Sequence, residues 1–498
     1  MLGGLDLEGY LDPYAFGEGA PFRPSAAVIP ASVEEIQRVL TAARQHQLPL
    51  WTVSRGRNYG YGGAAPRVSG SVVLDLHRMN RILEVDQELG YVLVEPGVSF
   101  LDMHAHLRAN KHRLVLSVPD IGWGSLIGNA LERGFGYAAH GEHIAFSCGL
   151  EVVLADGSVV RTGMGAVPGG TAWHLYRGGC GPALEGLFQQ SSLGIVTKMG
   201  FWLMPQPENV VVCMVKAPRR DDLGALVDAI RPLLMDGTVQ TKAVIGNATI
   251  VASMMGERAA WFAGDGPMPA SAVRSMMADL EVGWWNARFA LYGPTSLTTA
   301  RLDVVRAAVA AVPDLVLDVR SYPGDVNPEM VHPADRAQLG IPSTDLVRMA
   351  AWQGGEPAHT DISLVCPATA ADTMRQLDLI QSTVETAGFD YAGGFTLDAR
   401  AAIALALLSF DRKDERQRER VRDAVGNVIV AAAAAGYAPY RSHLAFMDRI
   451  ADTYGFNEHA LRSVQVTLKD ALDPEGLLSP GKQGIWPTSS APAVSTRQ

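Results

Sequence analysis

The sequence predicts an α+β chain of more than one domain, on three observations. Its 498 residues are too many for one small module and suit two large units or about three of ordinary size. Helical and strand-like patterns are mixed through the first 205 or so positions. At Met204-Pro-Gln-Pro207 the texture changes, and longer helical periods separated by apolar runs take over. A hydrophobic share of 48% against 19% charged residues, with 51 Gly and 29 Pro, fits a large, loop-rich globular protein and excludes disorder, collagen and coiled coil.

In chain order, Ser32-Val-Glu-Glu35 reads as a capping box opening an amphipathic helix to about Gln47. Leu48 to Ser54 follows as a buried strand running into a Gly-rich loop. Ser71 to Leu76 and Tyr91 to Glu95 are strand-like, and Leu150 to Ala155 with Ser158 to Arg161 form a hairpin around Asp156-Gly157. Beyond Pro207, helical periods fall near Asp221 to Leu234, Ser271 to Leu280, Thr298 to Ala311 and Ala370 to Ala387. A last long helix spans about Asp414 to Ala435. No internal repeat is present.

Several function classes drop out. A net charge of −10 without a basic run disfavours nucleic acid as a partner. Residues 1 to 20 lack the basic and apolar regions of a signal peptide. The apolar tracts Ala401 to Phe410 and Val428 to Ala435 fall short of the ~18 residues a membrane span needs, so a soluble protein with no membrane association is expected. Cys148, Cys180, Cys213 and Cys366 lie far apart and form no CxxC, which places the chain in a reducing cytoplasm. His140-Gly-Glu-His143 and His104-Ala-His106 lack the HExxH spacing, so no metal site is expected.

Two loops carry the chemistry. Ser54-Arg-Gly-Arg-Asn-Tyr-Gly-Tyr-Gly-Gly63 holds four glycines in ten positions directly after a strand, and its amides can approach a phosphate closely. It is not GxGxxG, which disfavours a Rossmann site; read alone, it is a tight turn. Pro119-Asp-Ile-Gly-Trp-Gly-Ser-Leu-Ile-Gly-Asn129 is a second such loop. Together they point to a cofactor with a pyrophosphate.

The stretches GRNYGYGGAAPRVSGSVVLDL (56 to 76), VPDIGWGSLIGNALERGFGY (118 to 137), GLEVVLADGSVVRTGMGAVPG (149 to 169), GIVTKMGFWLMPQP (194 to 207), YRSHLAFMD (440 to 448) and SPGKQGIWP (479 to 487) resemble the vanillyl-alcohol oxidase and p-cresol methylhydroxylase flavoprotein family. The likeness runs in order over nearly the whole chain. It implies a two-subdomain FAD-binding domain with an inserted α+β substrate or cap domain. Residues 1 to 207 would form the first part of the FAD domain, 208 to 436 the cap, and 437 to 498 the segment that completes the FAD domain.

The resemblance also implies residue roles. Tyr61, Tyr440 and Arg441 match the groups that bind a phenolate. Asp120 matches the acid beside flavin N5, and Tyr137 a tyrosine lining the pocket. FAD contacts are assigned to Arg55, Gly56, Arg57, Asn58, Gly60, Pro96, Ser125, Gly128, Asn129, Ile195 and Lys482. His359 takes the place of the histidine to which the oxidase branch attaches its flavin covalently, through the 8α-methyl group. The tyrosyl link of the cresol hydroxylases is not expected, because Ala350 stands two residues before Trp352. Where the family commonly reads Tyr-Thr-Pro-Tyr-Gly, this chain has Tyr137-Ala-Ala-His140-Gly141, and an adjacent histidine pair of the cap is replaced by Ile403-Ala404, so an altered pocket is expected.

The activity implied is oxidation of para-substituted phenols such as 4-alkylphenols, 4-hydroxybenzyl alcohols and eugenol-like compounds. Hydride would pass from the side-chain carbon to flavin through a quinone methide, and dioxygen would become hydrogen peroxide. The alternative is a dehydrogenase that delivers electrons to a cytochrome c subunit. A homodimer or larger homo-oligomer is expected.

Overall fold

The Ser32 hydroxyl accepts a hydrogen bond from the Glu35 amide and starts the helix Val33–Gln45. The Glu35 carboxylate reaches back to the Ala31 amide, one residue before the cap. Ile36, Leu40 and Ala43 form the buried stripe of this helix, at the spacing of one helical face. They pack with Leu50, Val72 and Leu74 of a three-stranded parallel sheet in the order Ala26–Val28, Val72–Asp75, Leu50–Val53. The computed structural model describes residues 4–17, 22–119 and 121–490.

A second sheet is antiparallel, with strands in the order Ile82–Asp86, Tyr91–Val94, Ile195–Trp202, Ser147–Val153 and Val159–Arg161. Its last pair is the hairpin expected around Asp156-Gly157. The helix Phe100–Ala109, capped by Ser99 and Asp102, covers it with Phe100, Met103 and Leu107.

The third sheet has eight antiparallel strands, ordered Val316–Pro323, Asn209–Ala217, Trp285–Gly293, Ala243–Asn247, Ala392–Leu397, Ala401–Asp411, Pro357–Pro367 and Ala438–Pro439. Successive side chains in a strand point to opposite faces, and here the two faces differ in chemistry. Ala358, Ile362, Leu364, Ala404, Ala406, Phe289 and Trp285 join a core with the helices Leu223–Met235, Ala370–Thr386 and Glu415–Ala434. The alternate positions, including Asn286, Arg288, Gly246, Gly394, Leu405, Leu407, His359, Asp361 and Ser363, fall on the opposite face by the strand register.

Segments near both ends of the described residues are fastened to distant parts of the fold. The Leu50 amide donates to the Leu477 carbonyl and the Ser479 amide to Leu50, each at 2.7 Å. Behind them the buried Lys469 ammonium bonds the Asp473 carboxylate at 2.6 Å and the Ser192 and Leu478 carbonyls. Near the other end, Asp12 pairs with buried His443 at 2.8 Å and Phe16 packs edge-on against that imidazole. Among the described residues, no helix is long and apolar enough to cross a membrane.

Candidate active site

Between the eight-stranded sheet and the two Gly-rich loops lies a cavity of ≈ 530 Å³. The first loop leaves the strand Leu50–Val53 and turns through Gly56, Gly60, Gly62 and Gly63, all at positive φ. Two of these glycines are needed for close approach as well as conformation. A Cβ on Gly60 would lie 2.7 Å from both His359 Cε1 and Asp361 Oδ2, and one on Gly62 would lie 2.5 Å from the Leu444 side chain. The bare backbone therefore fits directly against the sheet and the C-terminal segment. Tyr61 and Gly63 donate their amides to the Asn58 carbonyl. Among the described residues, the amides of Arg57, Asn58 and Tyr59, which border the cavity, meet no protein acceptor, leaving donors suited to an anionic group.

The second loop is built to hold its shape. Ser125 donates its hydroxyl to the Pro96 carbonyl at 2.6 Å and accepts from the Gly128 amide at 3.0 Å. Gly128 sits against Ser54, whose Oγ would be 2.3 Å from an added Cβ. Asn129 meets the imidazole of His143 at 2.6 Å, and the other ring nitrogen of His143 faces the Ser117 carbonyl at 3.0 Å. Burial depresses the His143 pKa to about 4, so the ring is neutral. Its Nε2 hydrogen goes to Ser117, and the contact to Asn129 is satisfied when Asn129 turns its NH2 group toward Nδ1. His143 thus serves to position Asn129.

The other expected cofactor residues border the same cavity. Arg55 donates from Nη1 to the Gly97 carbonyl at 2.7 Å, while its buried Nε has no hydrogen-bond partner. Arg57 bonds the Tyr59 hydroxyl, and Lys482 pairs with Glu132 at 2.6 Å. Pro96, Ile195 and Gly56 lie in the wall, whereas Gly60 stands behind it against His359. Unpartnered amides, a buried unpartnered arginine nitrogen and the close-approach glycines together fit FAD, whose pyrophosphate the loop amides would hold.

At the sheet end, Tyr61, Tyr440 and Arg441 come together. The Arg441 guanidinium carbon lies 4.1 Å from the centre of the Tyr61 ring and 5.7 Å from that of Tyr440. Burial works against the charge of Arg441, but the facing oxygens of Tyr440 and Tyr61 hold its pKa above the ordinary arginine value. Burial raises the pKa of both tyrosines, against the pull of Arg441. The site therefore presents one cation and two neutral hydroxyls. Arg441 Nε is buried and has no hydrogen-bond partner.

Sequence reasoning did not find three groups that set this geometry. Ser363 hydrogen-bonds the Tyr61 hydroxyl at 2.9 Å, and its carbonyl accepts from the Tyr440 amide. Gln190 donates to the Tyr440 carbonyl at 2.9 Å. Asp361 lies 3.5 Å from Nδ1 of His359. Alternation along Pro357–Pro367 puts His359, Asp361 and Ser363 on one face, a signal readable once a strand is assumed there.

Tyr137 lines the cavity. His140 instead stacks on Phe146, with ring centres 4.1 Å apart. Of the pair Ile403-Ala404, Ala404 belongs to the helix-side core, while Ile403 shares the strand face of Leu405 and Leu407, which line the cavity. Asp120 lies outside the described residues.

Comparisons with known proteins agree with this architecture. A family model described as an FAD binding domain matches residues 24–163, and one for the C-terminal domain of FAD-linked oxidases matches 342–483. The chain is 36% identical over 479 residues to the 4-cresol dehydrogenase [hydroxylating] flavoprotein subunit of Pseudomonas putida, covering 94% of this chain and 89% of that one. The structure of 4-ethylphenol oxidase from Gulosibacter chungangensis in complex with isoeugenol superimposes with a TM-score of 0.93 at 34% identity, covering 97% of this chain and 94% of that one. That of p-cresol methylhydroxylase with substrate bound gives 0.90 at 34% identity, covering 97% and 93%. With relatives matched nearly end to end and loops shaped for the cofactor, the chain belongs to the vanillyl-alcohol oxidase and p-cresol methylhydroxylase family and is an FAD-dependent oxidoreductase.

Proposed function

We propose that the protein oxidises para-substituted phenols at the carbon next to the ring, taking 4-alkylphenols, 4-hydroxybenzyl alcohols and eugenol-like compounds. The observation that carries this reading is the buried Arg441 set between Tyr61 and Tyr440 at the cavity. A free phenol has a pKa of about 10; a buried cation and two hydroxyl donors favour its anion by charge and hydrogen bonding. Ser363 can donate to Tyr61, which leaves the Tyr61 hydrogen free for the phenolate. Leu405 and Leu407 supply an apolar wall. Electron release from the phenolate lets hydride leave the para side-chain carbon and gives a quinone methide. FAD, when bound, supplies the hydride acceptor at N5.

In this reading His359 is the site of covalent flavin attachment, and dioxygen is the final acceptor, yielding hydrogen peroxide. The names of the relatives support the substrate class and divide on the acceptor: one is an oxidase, and another is the flavoprotein subunit of a dehydrogenase, which favours a cytochrome c partner as the second reading. Anaerobic mixing with 4-ethylphenol should bleach the flavin, and admission of air should restore it with one peroxide per turnover. The O-methyl ether cannot form the anion and should leave the flavin oxidised. Equal bleaching by both would sink the phenolate mechanism; reoxidation only by an added one-electron acceptor would favour the second reading.

Asp120 is assigned the role of offsetting charge as hydride leaves and of accepting a proton from water added at the side-chain carbon. Asp120→Asn should slow flavin reduction on the order of 100-fold while leaving the affinity for an unreactive phenol unchanged. Stopped-flow reduction at the wild-type rate would remove Asp120 from the mechanism.

A further inference from the structure

We propose that Asp361 is a positioning residue for His359, holding the imidazole hydrogen on Nδ1 so that Nε2 is the nitrogen that bonds the flavin. This rests on the reading of His359 as the attachment site.

The strand places the two side chains on one face, with Nδ1 3.5 Å from the carboxylate. Nδ1 is buried and makes no hydrogen bond, while Nε2 is not enclosed in this way. The ring edge carrying Cε1 and Nδ1 lies against Gly60, and Tyr14 packs on the ring with centres 5.1 Å apart. The imidazole is thus confined by backbone, by an aromatic ring and by one carboxylate. At 3.5 Å the contact is too long for a strong hydrogen bond and acts mainly through charge. Charge is enough to select the tautomer: a neutral imidazole has one N–H, and the carboxylate favours it at Nδ1. The lone pair is then on Nε2.

In the attachment step Nε2 gives that pair to the flavin 8α carbon, which loses one proton. The two electrons enter the flavin ring system and leave it to dioxygen, which becomes hydrogen peroxide. The alkylated imidazole is cationic with its hydrogen on Nδ1, and Asp361 faces that charge and offsets it. Asp361 also borders the cavity and acts by charge on Arg441, Tyr61 and Tyr440, so its role toward His359 is read from flavin attachment and not from turnover.

The test uses full-length protein produced under riboflavin limitation, mixed with FAD and acid-quenched at intervals, with attached flavin counted in the precipitate. In the wild type, peptide mass should place the flavin on His359, and NMR of the flavopeptide should place it on Nε2. Asp361→Asn should still bind FAD reversibly but attach it about tenfold or more slowly. Asp361→Glu, which keeps a carboxylate on the same strand face, should recover most of the wild-type attachment rate. An unchanged rate in Asp361→Asn, no recovery in Asp361→Glu, attachment through Nδ1, or loss of reversible FAD binding in both variants would overturn the proposal. Wild-type flavin found on another residue, or on none, would instead overturn the reading of His359.

Discussion

Arg441→Ala is expected to lower kcat/KM for a 4-alkylphenol by about 100-fold or more, near 3 kcal/mol of transition-state stabilisation, the size seen when one preorganised donor is lost. The fold should survive, because removing a buried cation also removes its desolvation cost, and Tyr61 keeps its bond to Ser363. The effect should be selective. A substrate already ionised in solution should lose less than one that must ionise in the site, so raising the pH toward the phenol pKa should recover part of the rate. Arg441→Lys should recover only part, since an ammonium lacks the planar, multi-donor head that the guanidinium presents beside the Tyr61 ring. Wild-type kcat/KM in Arg441→Ala, with the preference for phenol over ether intact, would mean that the anion is stabilised elsewhere.

Gly60→Ala is expected to have the other large effect. The residue has a φ of +82°, and its Cβ would come within 2.7 Å of both His359 and Asp361. Backbone strain of this kind costs on the order of 1 to 3 kcal/mol, and the collision adds to it. Neither neighbour can yield easily: His359 is confined on its other side by Tyr14, and Asp361 follows it on the same strand face. FAD affinity should fall by at least about tenfold, of the order lost with outer-shell partners, and attached flavin should fall with it. Gly70→Ala is the matched control, because Gly70 has a φ of +87° with nothing within 4 Å of its Cβ position. Thermal unfolding should show the strain in both variants and flavin retention the loss in only one. Equal retention would show that the close approach at Gly60 is not needed for the cofactor.

Local signals in the sequence were sufficient for the first helix, whose cap and apolar stripe coincide, and for the hairpin at Asp156-Gly157. The helix Phe456–Leu472 was missed although Leu461, Val464, Leu468 and Leu472 recur at helical spacing; Leu461 and Val464 are exposed, and the one fully buried residue is Lys469. The strand Ile82–Asp86 was missed for a related reason: none of its residues is fully buried. At the site, Tyr440 and Arg441 were identified by likeness to a family, and their setting was not. Ser363 and Gln190 act on them across 77 and 250 residues of chain, and spacing in sequence carries no information about such contacts. Asp361 is adjacent enough to His359 to be noticed, but its meaning depends on knowing that the segment is a strand with one face on the cavity.

The fastening of Leu50 to Leu477 and Ser479 has a consequence for the order in which the protein can be made. During synthesis the parallel sheet emerges early, yet its partner at position 477 leaves the ribosome only after the entire eight-stranded sheet has been translated. The cavity wall draws on residues from Tyr14 to Gln483, so no nascent fragment contains a complete cofactor pocket. The chain must remain competent to dock the segment from Leu477 to Gln483, and FAD can be captured fully only once that segment has emerged. Since a ligand that binds only the native state stabilises it by mass action, cofactor supply acts on the finished chain as a selector of correctly closed molecules and cannot guide the early steps.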